Sequence, residues 1–139
     1  MLVITPQKIG IFQAAVEKAF ERDLVAYFRG THDGTIVRLP SGPAAVGTLP
    51  DSILAKMIAS GVAKAKGYGL TGQAALAGFL TLMFEASPNF DVDPYLGRYL
   101  RDADVPPNAR ISHLLERASD EDWVAVKEAY DPRAWGVGG

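Results

Sequence analysis

Cysteine is absent from the 139-residue chain, which excludes disulfide frameworks, thiolate zinc sites and cysteine nucleophiles at once. Histidine is nearly absent too: His32 and His113 are the whole supply. That is too few for most zinc sites, and it leaves His32-Asp33 as the one neighbour pair from which a general base could be built. No GxSxG or HExxH context accompanies the pair. The N-terminus, MLVITPQKIG, lacks the basic n-region and long apolar h-region of an export signal, so the cytoplasm is the expected compartment. The longest uncharged run, residues 67–84, approaches a membrane span in length. It is broken by Gly67, Gly69, Thr71, Gly72, Gln73, Gly78 and Thr81, and only Ala74 to Phe84 is densely apolar. A span needs roughly 20 predominantly apolar residues. The run therefore reads as a buried core helix, and no membrane span is expected.

Charge of one sign is also missing as a concentrated stripe. Residues 1–84 carry eight basic and five acidic side chains, and residues 85–139 carry six basic and eleven acidic, giving halves of +3 and −5. A nucleic-acid partner is not expected from that distribution, because phosphate neutralisation needs clustered Lys and Arg. An acidic C-terminal face suits a basic partner instead.

What is present is helical periodicity. Thr5-Pro6 resembles an N-cap with proline at N1, and Ile9, Phe12, Val16, Ala19, Phe20, Leu24, Tyr27 and Phe28 recur at helical spacing, predicting a first helix over about 6–29. Residues 30–50 are rich in glycine and proline, with one β-prone run, Thr35 to Leu39; such a length without structure of its own is expected to be mobile or functional. Asp51 or Ser52 is placed to cap a second helix with Leu54, Met57, Ile58, Gly61, Val62 and Ala65 inward and Lys56, Lys64 and Lys66 in solvent. Thr71 is placed to cap a third helix, apolar nearly all round and hence central. Asp93-Pro94 opens a fourth helix, ending near Asp102. Pro106-Pro107 precedes a fifth with Ile111, Leu114 and Leu115 inward. Ser119, followed by Asp120, Glu121 and Asp122, caps a sixth carrying Trp123, Val126 and Tyr130. The expected fold is all-α: a single compact bundle of five or six helices over residues 1–135, with a long Gly/Pro-rich loop after the first helix and a flexible tail at 136–139.

Three motif matches dissolve in context. Gly67-Tyr68-Gly69-Leu70-Thr71-Gly72 fits GxGxxG, but it follows a helical pattern rather than a strand, so the glycines serve a helix corner. Asp91-x-Asp93 lacks the later ligands and glycine of a calcium loop; Asp93 reads as a cap and Asp91 as a turn residue. The acids 120–122 are a helix start. No metal and no cofactor are expected.

Four segments form a familiar set: Lys66-Gly67-Tyr68-Gly69-Leu70-Thr71, Leu80-Thr81-Leu82-Met83-Phe84, Pro88-Asn89-Phe90-Asp91-Val92-Asp93-Pro94 and Pro106-Pro107-Asn108-Ala109-Arg110. Together they resemble small helical accessory proteins encoded beside spike and effector genes of bacterial type VI secretion clusters, over roughly residues 53–117. The resemblance implies a non-enzymatic protein-binding role as effector adaptor, chaperone or immunity protein, with a secreted effector or spike component as partner. The alternative is a small ligand-binding domain or an enzyme using the His32/Asp33 loop.

Two features exceed the needs of a self-contained bundle. One is the 30–50 loop, bearing Ile36, Val37, Leu39 and Val46, with Asp33 and Arg38 to set polar register. The other is the acidic C-terminal segment with Trp123, Tyr130 and Trp135. Either is a docking surface, or the loop folds back over its own core and the aromatics pack an edge.

Overall fold

The computed structural model describes residues 6–137, with side chains from Lys18 onward; the expected Thr5 cap and the Ile9, Phe12 and Val16 stripe lie outside what is described. In chain order the elements are α1 (Pro6–Thr31), a hairpin of β1 (Ile36–Leu39) and β2 (Gly42–Ala45), α2 (Asp51–Gly67), α3 (Gln73–Glu85), α4 (Pro94–Leu100), α5 (Arg110–Arg117) and α6 (Asp120–Glu128). Short 3-10 turns cover Val46–Thr48, Phe90–Val92, Pro107–Ala109 and Pro132–Trp135. The protein is thus mostly helical but not purely all-α.

α3 is the central helix, as its composition requires. Ala75, Leu76, Phe79, Leu80, Leu82, Met83 and Phe84 are all buried, and each large side chain contributes about 1.5–3 kcal/mol of burial before conformational entropy is subtracted. α2 lies against it through Leu54, Met57, Ile58, Gly61, Val62 and Ala65. Two starts differ from expectation. Pro50, not Asp51 or Ser52, is the N-cap of α2, and Asp51 instead pairs with Arg29 at 2.6 Å. Gly72, not Thr71, is the N-cap of α3; there the side chain of distant Asn108 accepts from the Thr71 and Gly72 amides at 2.8 and 3.0 Å. A remote amide oxygen thus fixes the two residues that lead into α3, while the N-cap itself carries no side-chain cap. Asp93 and Ser119 cap as expected, Asp93 accepting from Tyr95 and Leu96 amides and Ser119 in a capping box with Asp122.

Residues 30–50 are the main correction. They form an antiparallel hairpin, Ile36 paired with Ala45 through Leu39 with Gly42, folded onto the bundle with Val37, Leu39 and Val46 buried. β2 eluded pattern reading because Gly-Pro-Ala-Ala has poor strand propensity. Pro43 is tolerated because its partner, Arg38, directs its own N–H away from β2. Arg29 sews the return down, donating to Gly47 and Leu49 carbonyls at 3.1 and 2.7 Å. Residues 136 and 137, expected in a flexible tail, belong to the fold. Gly136 takes a left-handed φ of 77°, and Val137 is buried.

Gly61 marks the closest approach of α2 and α3: a Cβ there would overlap Leu80 Cδ2 and sit 2.9 Å from Met83 Sδ, both on fully buried side chains. Gly61→Ala gains up to about 1 kcal/mol of helix propensity but overpacks the core, which costs about 1–3 kcal/mol. A net loss in urea denaturation is expected. A stabilised variant would show that the helices separate easily at this point.

Candidate protein-docking face

Residues 92 positions apart in the chain meet at the hairpin's outer edge. The Arg38 amide donates to Tyr130 Oη at 3.0 Å, the Arg38 guanidinium lies 4.2 Å from the Tyr130 ring centre, and its Nη2 reaches the Lys127 carbonyl at 3.5 Å. Tyr130 Oη also accepts from Trp135 Nε1 at 2.8 Å. The hairpin and the C-terminal segment, expected as separate docking candidates, are therefore joined.

Their residues divide into supports and surface. Trp135 is 0% exposed and packs 4.9 Å from Phe84, which stacks at 4.7 Å on Phe28; it is a core residue, not an interface anchor. Val37 and Leu39 are likewise core. Tyr130 is half-buried and braces Arg38, while Asp33 spends its carbonyl on the Gly47 amide at 2.9 Å. Of the expected apolar anchors, Ile36 (61% exposed) and half-buried Trp123 remain available to a partner. Ile36 shares Arg38's face of β1, because alternate strand residues point the same way.

Beside this junction the C-terminal end of α3, α5 and α6 border a shallow cleft of about 200 Å³ lined by Leu82, Glu85, Ala86, Leu115, Trp123 and Lys127. Leu115, expected inward, is 54% exposed. Ile111 and Leu114 fill the inner stripe of α5, and Leu115 sits at its edge, about 100° round the helix from Leu114. Val124 is 55% exposed one position after Trp123. Periodicity alone identified 111, 114 and 115 as one stripe; it carries no signal for which side of that stripe the next element leaves bare.

The remaining polar groups act as structure. His32 packs beside Phe28 and Phe84, with Nδ1 2.8 Å from Thr31 Oγ1 and Nε2 3.4 Å from Glu85 Oε1. Thr31 Oγ1 also donates to the Tyr27 carbonyl at 2.8 Å. His113 Nδ1 accepts from Arg117 at 2.9 Å. Among the described residues no group of three or more His, Asp or Glu is arranged to hold a metal, and no helix is long and apolar enough to cross a membrane.

The familiar segments converge on one corner. Tyr68, C-cap of α2, donates to Asp91 Oδ2 at 2.9 Å, and Arg110 donates to the Tyr68 and Leu100 carbonyls at 3.0 and 2.9 Å. Gly69 supplies φ +88° for the turn. The GxGxxG match is thus a helix corner. Lys64, expected in solvent, turns inward to the Pro88 carbonyl at 2.7 Å and Asp91 Oδ1 at 3.5 Å. Burial, then the hydrogen bond to Asp91 and its charge, push the Tyr68 phenol up to about 12, with Arg101 pulling the other way.

No family model, curated protein or solved structure matches the chain.

Two outcomes check these assignments. Trp135→Ala is expected to cost about 3–5 kcal/mol of stability, as for a fully buried aromatic, and Trp123→Ala about 1 kcal/mol or less; equal losses in chemical denaturation would contradict the division. Folded Tyr68 holds its proton more tightly than the unfolded chain, whose phenol titrates near 10.0. Its contribution is therefore complete below about pH 10 and is lost as pH rises towards 12. The urea midpoint should fall more steeply above about pH 10 in the native protein than in Tyr68→Phe; parallel profiles would refute the shift.

Proposed function

We propose that the chain is a non-enzymatic protein-binding module whose docking face is the α5–α6 side of the bundle, continued by Ile36 and Arg38 on β1. One observation carries this reading: Leu115 and Trp123 line one cleft with Leu82, flanked by Glu85 and Lys127, and Val124 is exposed one residue beyond Trp123. Scattered exposed leucines are ordinary, whereas an aromatic flanked by aliphatics inside a polar rim is the usual composition of a binding hot spot.

The biological class rests on the resemblance of the 66–71, 80–84, 88–94 and 106–110 segments to type VI secretion accessory proteins. Under that reading the partner is a secreted effector or spike component, and the role is adaptor, chaperone or immunity protein. The enzymatic alternative, built on His32 and Asp33, draws no support from a buried histidine whose ring nitrogens lie against Thr31 and Glu85.

Co-expression with the product of each neighbouring gene, followed by size-exclusion chromatography, tests the proposal. One stable complex is expected. Leu115→Asp with Val124→Asp should weaken it at least about tenfold, about 1.4 kcal/mol, while circular dichroism stays unchanged. A complex indifferent to both substitutions would move the docking face elsewhere on the molecule.

A further inference from the structure

We propose that the Asp33-Gly34 peptide is a covalent modification site, at which the aspartate rearranges spontaneously to isoaspartate and loosens the hairpin's attachment to α1. The chemistry is intramolecular. The Gly34 backbone nitrogen attacks Asp33 Cγ and forms a C–N bond, while the amide proton and the carboxyl hydroxyl leave together as one water, closing a five-membered succinimide. Water then adds at the original main-chain carbonyl and breaks its bond to the Gly34 nitrogen. The chain now runs through Cγ, and the old carbonyl is a pendant carboxylate. One water leaves and one enters, so mass and charge are unchanged and no co-reactant is needed.

Of the chain's aspartates and asparagines, Asp33 alone precedes a glycine, and a residue without Cβ leaves its amide nitrogen open to attack. The fold keeps that opening. Asp33 and Gly34 are both exposed in the turn between α1 and β1. Among the described residues the Gly34 N–H donates to nothing, and the Asp33 carboxylate has neither a hydrogen bond nor an ion pair. Neither reacting group must first break a polar contact. Asp91, Asp93 and Asp131, by contrast, are held by Tyr68, by the Tyr95 and Leu96 amides and by Arg133. Gly34 has no positive φ, and a Cβ there would meet nothing within 4 Å, so neither backbone conformation nor packing demands glycine at this turn.

The hairpin is tied to α1 through this same peptide. The Asp33 carbonyl accepts the Gly47 N–H at 2.9 Å, the His32 carbonyl accepts the Thr35 N–H at 3.0 Å, and the Thr35 carbonyl accepts the Val46 N–H at 2.9 Å. Rearrangement takes the first acceptor off the main chain and inserts one extra backbone atom between the partners of the second. Val37, just beyond, is packed in the core. A hairpin fitted to the shorter connection therefore loses anchorage on its α1 side.

The test ages the full chain at neutral pH and body temperature beside the synthetic peptide of residues 30–38, GTHDGTIVR, which is also the fragment trypsin releases by cutting after Arg29 and Arg38. Isoaspartate is read as a second chromatographic peak of unchanged mass that an isoaspartyl methyltransferase labels from S-adenosylmethionine. Conversion in the folded chain is expected within about tenfold of the free peptide's rate. An unfolded fraction of about 10⁻³ or less cannot supply such a rate. Slower conversion overturns the proposal, because the turn would then hold the two groups apart. Gly34→Ala, for which space and backbone are open, should slow conversion at least about tenfold, and Asp33→Glu, whose ring would need a sixth member, should abolish it. Undiminished conversion in Gly34→Ala overturns the proposal, as does label appearing in another peptide instead. The isoaspartyl form, separated by hydrophobic-interaction chromatography, should show a lower urea midpoint than unaged protein; an equal midpoint overturns the coupling to the hairpin.

Discussion

The ammonium of Lys64 stands where three otherwise separate stretches of chain meet. It donates to the Pro88 carbonyl at 2.7 Å and to the Ala134 carbonyl at 3.4 Å, and lies 3.5 Å from Asp91 Oδ1. Asp91 is buried, with Oδ2 held by Tyr68 and Oδ1 accepting no hydrogen bond among the described residues. An ionised carboxylate in that position is sustained only by its neighbours, since an isolated buried charge costs several kcal/mol. The pair need not raise net stability over an apolar substitute. Its effect is directional: removing either partner leaves the other uncompensated, so α2, the Phe90–Val92 turn and the C-terminal segment are committed to one arrangement.

From that commitment the candidate docking face is assembled by relay. Lys64 and Asn89 hold the chain at the end of α6, Asn89 donating to the Ala129 carbonyl and accepting from the Asp131 amide, each at 2.9 Å. The segment so positioned sends Trp135 into the core beside Phe84 and sets Tyr130 against the hairpin. Tyr130 in turn receives the Arg38 amide, which has no strand on that side. A two-stranded hairpin is marginal alone; here its outer edge is closed by a phenol and its inner face by Val37 and Leu39. The surface that Ile36, Trp123 and Leu115 present is backed by buried and hydrogen-bonded residues.

Local rules read the helices well. Periodicity, proline at N1 and the Asp93 and Ser119 caps lie within a few residues of one another, so short-range physics determines them. The misses share a cause at longer range. Asn108 fixes the entry to α3 from 36 and 37 positions away, Lys64 finds an acid on another turn, and β2 exists because β1 and the bundle hold it. The residues of the candidate face were half legible. Aromatics in an acidic segment drew attention to Trp123, but the same signal drew it to Trp135, and pattern alone cannot separate them.

What separates the two tryptophans is the fate of the indole N–H. Burying Trp135 fully is acceptable because Tyr130 Oη lies 2.8 Å away to receive its proton. Trp123 has no acceptor among the described residues and stays half in solvent, where water serves. The neighbouring Leu115 and Val124 have no polar atoms beyond the backbone to explain their exposure. Burying them within the fold would require another element over α5 and α6, and the described chain instead turns back under Phe84 to complete the core. Apolar area held open by the same turn that stabilises the fold costs about 25 cal/mol per Å² while it remains wet, and covering it with a second protein recovers that term.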